Sequence, residues 1–173
     1  MRTHLLTADL EIHREILLEL QSEYLCWVFE QMRATFGPAI DASLATVASY
    51  AEQSLAQVCA QVPPQGVFYL LLEQQTVIGM GGLRRIRPGV AEIKRVYIRP
   101  AYRGKQLGGF VVRCLQADAR RFGYRSVYLD SAPFMTSAHR LYESLGFTDC
   151  AAYPETEVAA ELRACWRFMR CDV

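Results

Sequence analysis

Between Arg103 and Gly109 the chain reads Arg-Gly-Lys-Gln-Leu-Gly-Gly, and this is the stretch whose residue types are best suited to chemistry. It follows a β-prone run ending at Ile98 and opens an amphipathic helix marked by Leu107, Val111, Leu115, Ala119 and Phe122. The first N–H groups of a helix lack intrahelical partners and carry partial positive charge, so an anion is stabilised there. Gly104, Gly108 and Gly109 remove side chains that would hold a phosphate away, while Arg103 and Lys105 add full charges. A pyrophosphate could lie across this turn, although a purely structural strand-to-helix turn uses the same glycines. Two familiar nucleotide motifs do not fit: there is no GxxxxGK[ST], and Gly79, Gly81 and Gly82 lack the third-glycine spacing of GxGxxG.

Other reactive side chains form weaker patterns. Cys26, Cys59, Cys114, Cys150, Cys165 and Cys171 make no CxxC pair and no zinc spacing with histidine, so they read as reduced, mostly buried thiols. His4, His13 and His139 are too dispersed to suggest ligands, and no metal is assigned. Arg84, Arg85, Arg87, Lys94 and Arg95 form a basic cluster. Either it pairs with a carboxylate on a small amino compound, or it is a set of solvated strand and turn charges.

The elements that must position these residues follow from periodicity. Ile12, Ile16, Leu20 and Tyr24 keep a helical period, predicting a helix from about Ala8 towards Met32, capped by Thr7 and stopped at Gly37 and Pro38. A second helix is predicted from near Ser43, with Leu44, Val47, Ala51, Leu55, Val58 and Val62 on one stripe, until Pro63 and Pro64. Val67–Leu72 and Thr76–Leu83 bracket a short polar turn and read as a hairpin; Ala91–Ile98 is a further strand. The helix opened at Leu107 stops at Gly123, a strand covers Ser126–Asp130, and a helix runs from about Thr136 to Leu145. Strands are expected around Phe147–Ala152 and Cys165–Cys171, with 153–162 a loop between them. The whole is one α/β domain, residues 1–173, with a largely antiparallel sheet.

Composition bounds the function. The 173 residues are 51% hydrophobic and 21% charged, too apolar and too mixed for disorder or a coiled coil. A formal charge of +1 provides no global field towards nucleic acid or anionic lipid. The longest purely apolar stretch, Val67–Leu72, is far short of the roughly 20 residues a membrane helix needs. The first twenty residues mix charges into their apolar positions and lack a signal-peptide core, so a cytoplasmic location is expected.

From the strand before the turn through LYESLGF at Leu141–Phe147, roughly residues 67–150, the chain resembles the GCN5-related N-acetyltransferase superfamily. That family's phosphate motif is Gln or Arg, two residues, Gly, one residue, Gly or Ala; here it reads Arg103, Gly104, Lys105, Gln106, Leu107, Gly108, with Gln106 at the central glycine. The resemblance implies a mixed, mostly antiparallel sheet of six or seven strands with helices on both faces. It also implies a splayed parallel strand pair that holds coenzyme A. Acetyl-CoA would lay its phosphates across Arg103–Gly109, including Lys105, Gln106 and Leu107, and its pantetheine along Val96, Tyr97 and Ile98. The helices over about 8–62 would shape the acceptor side.

The resemblance also implies catalytic roles. A free Lys-type amine with pKa near 10.4 is deprotonated only about once in 2,500 at pH 7, so a base is useful. Glu92 stands where several members place a catalytic carboxylate; it could instead pair with Lys94 or orient the amine. Tyr142 would protonate the departing thiolate, or else pack against the pantetheine. Met135 and Ser137 would lie near the cofactor, although the Asn often found in this region of the family is missing. Cys114 sits on the helix after the turn and is expected to pack, which leaves direct attack in a ternary complex. The acceptor would be a primary amine of a small molecule or peptide, with no nucleic-acid or membrane partner and room for a homodimer. A non-catalytic acyl-CoA sensor or interaction module with the same fold is the alternative.

Overall fold

The apolar run after Pro64 builds the centre of the sheet. In the computed structural model, which describes residues 3–40 and 43–173, β2 (Gly66–Glu73) and β3 (Thr76–Arg87) form an antiparallel hairpin with Leu70 opposite Met80. Along β2, Phe68 and Leu70 turn to one face while Val67 and Leu71 turn to the other. Both faces are buried, so the run is continuously apolar instead of alternating. Pro88 and Gly89, the latter at φ 75°, lead into β4 (Val90–Ile98), antiparallel to β3.

The N-terminal segment departs from the expectation. Thr3–Thr7 is not the cap of a helix but an edge strand, β1, paired antiparallel with β2 from Thr3 opposite Glu73 to Thr7 opposite Tyr69. The Asp9 side chain then accepts hydrogen bonds from the N–H groups of Glu11 (2.8 Å) and Ile12 (3.2 Å), holding a turn that delays helix α1 to Arg14–Phe36. Ser43 caps α2 (Leu44–Val58) by accepting from the Thr46 N–H. This helix ends one turn before Val62, which is 66% exposed and off the predicted stripe; a helix cannot run into two prolines. The side chains of Leu44 and Val58, placed on that stripe by period, lie outside the described residues, whereas Val47, Ala51 and Leu55 are buried.

α3 (Leu107–Arg121), β5 (Ser126–Ser131), α4 (Thr136–Ser144), β6 (Thr148–Asp149) and β7 (Arg167–Asp172) complete the chain. The expected strand at 147–152 is thus only a two-residue pairing with β7, and 153–162 is the expected loop, from which the Tyr153 hydroxyl reaches Glu92 of β4. Strand order is β1-β2-β3-β4-β5-β7-β6, and among the described residues only β4 and β5 pair in parallel. Leu17 and Leu20 of α1 and Leu55 of α2 pack on Phe68, Leu70 and Met80. Val111, Val112 and Leu115 of α3 pack on Val67, Leu71, Ile78 and Ile93 across the sheet. No helix among the described residues is long and apolar enough to cross a membrane.

Two irregularities set the course of β4 beyond its first residues. Gly82 pairs with Lys94 and Met80 with Tyr97, so Gly81 faces two residues, and Arg95 in this bulge takes φ 59°. On the other side, the parallel register with β5 runs only from Val90–Ser126 to Glu92–Tyr128. Beyond Glu92 the two strands diverge.

Candidate functional site

The divergence of β4 and β5 opens a cleft of about 960 Å³, walled by α1, the turn before α3 and the β5–α4 connection. At one end stands the turn. Gly104 takes φ 79° and Gln106, the N-cap of α3, takes φ 59°, so two left-handed residues fold the backbone back before Leu107 begins the helix. The helix-opening N–H groups of Leu107, Gly108 and Gly109 lie at the cleft wall. A Cβ at Gly108 or Gly109 would press on Leu141 of α4 at 3.3 and 3.2 Å, so these glycines also permit close packing of the two helices.

Of the residues expected to bind a cofactor, Val96, Tyr97, Ile98, Arg103, Gly104, Gln106, Leu107, Gly108 and Gly109 all line this cleft. Lys105 does not: its ammonium lies 3.7 Å from Glu73 and over the Tyr102 ring. Arg103 donates from Nε to the Ile98 carbonyl (2.9 Å), and its guanidinium stands over the Trp27 and Tyr97 rings. Trp27 of α1 meets Phe134 edge-on at 5.7 Å between ring centroids, and both rings border the cleft. Met135 and Ser137 line it too, and Cys114 does not.

Tyr142 borders the cleft from α4 and is 9% exposed. Burial pushes its hydroxyl pKa well above the ordinary tyrosine value, and the nearby Tyr24 and Asp130 push it the same way. The phenol therefore keeps its proton and is a donor.

Glu92 is placed differently. It is fully buried, accepts from Arg84 Nε (2.6 Å) and from the Tyr153 hydroxyl, and lies 3.6 Å from Lys94 Nζ. Neither the cleft nor the smaller pocket beside it is lined by Glu92. Around it runs a charge network on one sheet face. Arg84 also binds Glu157 (2.5 Å), and Lys94 binds Asp130 (3.1 Å) and Glu157 (3.4 Å). Burial alone would lower the Lys94 pKa, but Asp130, Glu92 and Glu157 outweigh it and hold the ammonium above its usual range. Burial would likewise raise Glu157, and Lys94 with Arg84 outweigh it, so Glu157 stays ionised below the usual carboxylate range.

The basic cluster is thus mostly engaged in internal pairs. Arg84 and Lys94 belong to the network, and Arg87 binds Glu155 at 2.6 Å. Tyr153, Glu155, Glu157 and Asp130 escaped the sequence reading. The signal was present in the acids at 155 and 157, spaced to face the basic strand β3, but nothing local told which side of the sheet the loop covers.

A strand pair that opens beyond three paired residues, with an anion-ready helix start at its edge, defines a class. The chain belongs to the Acetyltransferase (GNAT) family, which it matches over residues 23–147. It is 31% identical to the uncharacterized N-acetyltransferase YjgM of Escherichia coli over 69% of this chain and 72% of that one. It is 33% identical to an uncharacterized N-acetyltransferase of Schizosaccharomyces pombe over 53% of this chain, spanning 57% of the yeast protein. In fold it is similar to a PaiA N-acetyltransferase from Thermoplasma acidophilum solved in complex with coenzyme A, with TM-score 0.74 and 18% identity over the whole of both chains.

Proposed function

We propose that this protein is an acetyl-CoA-dependent N-acetyltransferase that acts on a primary amine of a small molecule or peptide by direct attack in a ternary complex. The observation that carries the reading is the cleft between β4 and β5, with its anion-ready turn at one end and Tyr142 on its wall. The left-handed turn at Gly104 and Gln106 and the open α3 N-terminus suit a pyrophosphate. The β4 edge at Val96–Ile98, unpaired on the β5 side, suits pantetheine amides, with the Ile98 carbonyl already partly engaged by Arg103. Acetyl-CoA supplies an activated thioester. In the transfer a C–N bond forms as the C–S bond breaks; the amine loses a proton and the sulfur gains one. Tyr142, held protonated by burial, is the donor to sulfur. No cysteine lines the cleft among the described residues, which supports transfer without an acyl-enzyme stage.

Glu92 is assigned a positioning role. Its burial and its bonds to Arg84 and Tyr153 favour holding the network over reaching an amine. Glu157 lines both the cleft and the smaller pocket and is the carboxylate best placed to receive the amine's proton through water.

Calorimetry with coenzyme A and thiol release from acetyl-CoA with an amine panel test the reading together. Micromolar binding, weakened tenfold or more by Arg103→Ala, and amine-dependent thiol release are expected. Binding without release above background from any amine would make the chain a sensor instead.

A further inference from the structure

Beside the cleft lies a pocket of about 240 Å³ that shares Tyr50, Lys94, Arg95 and Glu157 with it. Phe68, Gly82 and Leu83 give it apolar lining, and α2 adds Gln53, Ser54 and Gln57. This is below the roughly 300–1,000 Å³ of pockets for drug-sized ligands, so its occupant is small.

Charge at the junction is unevenly met. Arg84 and Lys94 are tied to Glu92, Asp130 and Glu157. Arg95 makes no ion pair among the described residues; its guanidinium stands 5.8 Å from the Tyr24 ring centroid and 5.7 Å from that of Tyr50. The two rings support the cation without using up its planar fork of N–H donors, the geometry that matches a carboxylate.

The backbone adds a second, independent observation. Ile93 faces the α3 side of the sheet, and strict alternation would send Arg95 there as well. The bulge turns it instead towards the tyrosines of α1 and α2, at φ 59°. A non-glycine residue in this conformation costs energy, and such residues concentrate at ligand clamps. Glu157, of opposite charge, borders the same junction.

We infer that the acceptor is a small α-amino acid, whose carboxylate is taken by Arg95 while its amine is held on the Glu157 side, facing the cleft. This rests on the proposed acetyltransferase activity and names its substrate class; Arg95 is then a specificity-determining residue.

The test compares each common L-amino acid with its decarboxylated amine, for example serine with ethanolamine, in thiol release from acetyl-CoA. At least one amino acid should exceed its amine tenfold in kcat/KM. Arg95→Gln should reduce that ratio at least tenfold, mainly through KM, and Arg95→Lys should keep part of it. Amines without a carboxylate turned over as well as or better than every amino acid would overturn the inference and leave the acetyltransferase reading standing. So would an unchanged ratio in a folded Arg95→Gln protein. If that variant does not fold, the wild-type ratio alone decides.

Titration of the same amino acids into protein saturated with coenzyme A reads the site without chemistry. Amino-acid binding weakened tenfold by Arg95→Gln, with no amine turned over, would support the carboxylate site while the acetyltransferase reading fell. Neither binding nor turnover would end both.

Discussion

A single hydroxyl carries the clearest prediction. Tyr142 keeps its proton because it is buried, and a proton donated to a leaving group is worth roughly 10²–10⁴ in rate. Tyr142→Phe should therefore lower kcat at least tenfold while coenzyme A affinity, read by calorimetry, moves less than threefold. Normal turnover would leave the ring a packing role only. Glu92→Gln tests positioning against base catalysis. Removing one partner of a buried pair costs about 3 kcal/mol, so the denaturation midpoint should fall. The acidic limb of the kcat/KM profile should survive in that variant, whereas a base at Glu92 would take the limb with it. Gln106 holds a left-handed backbone that costs an L-residue about 1 kcal/mol. Gln106→Gly should therefore raise stability by a fraction of that, once the glycine's greater freedom in the unfolded chain is subtracted.

At the scale of elements, one close approach joins core and pocket. A Cβ on Gly82 would come within 2.3 Å of the Phe68 ring, and both residues line the smaller pocket. Gly82→Ala should cost about 1–3 kcal/mol by overpacking and raise the acceptor KM more than the acetyl-CoA KM. Urea unfolding and steady-state kinetics measure the two effects. This coupling was not legible in the sequence, where Gly79, Gly81 and Gly82 counted only against a nucleotide motif. The hairpin, β4, α3 and the turn were legible because their periods and breakers are local. β1 was missed because five residues with one strand partner carry too short an alternation to outweigh the helical period just after them. The loop at 153–162 was legible as one, but what it packs on was not, for another reason. Tyr153 is buried because it reaches Glu92, sixty-one positions away in sequence, and periodicity carries no such information.

Over the whole molecule, protonation should set an alkaline limit. Lys94 is held above its ordinary 10.5, against burial, by Asp130, Glu92 and Glu157; burial holds Tyr142 and Tyr153 above 10.0, with Glu92 adding to the shift at Tyr153. All three keep their protons longer in the folded chain than in the unfolded one. Their contribution is complete below about pH 10 and is lost as pH rises beyond it. Denaturant midpoints measured from pH 7 to 11 should stay level at first and then drop steeply; a decline centred near pH 8 would show that other groups govern. The bulge at Arg95 has a broader consequence. Flatten it with Arg95 still in line and the tail of β4 inverts: Tyr97 would swing under α3, Val96 and Ile98 would swing under α1, and two mismatched interiors would result. The irregularity thus sets one additional side chain beside the ionic layer while the residues after it keep the faces their neighbours require. Deletion of Arg95 should therefore be better tolerated than insertion of a residue beside it.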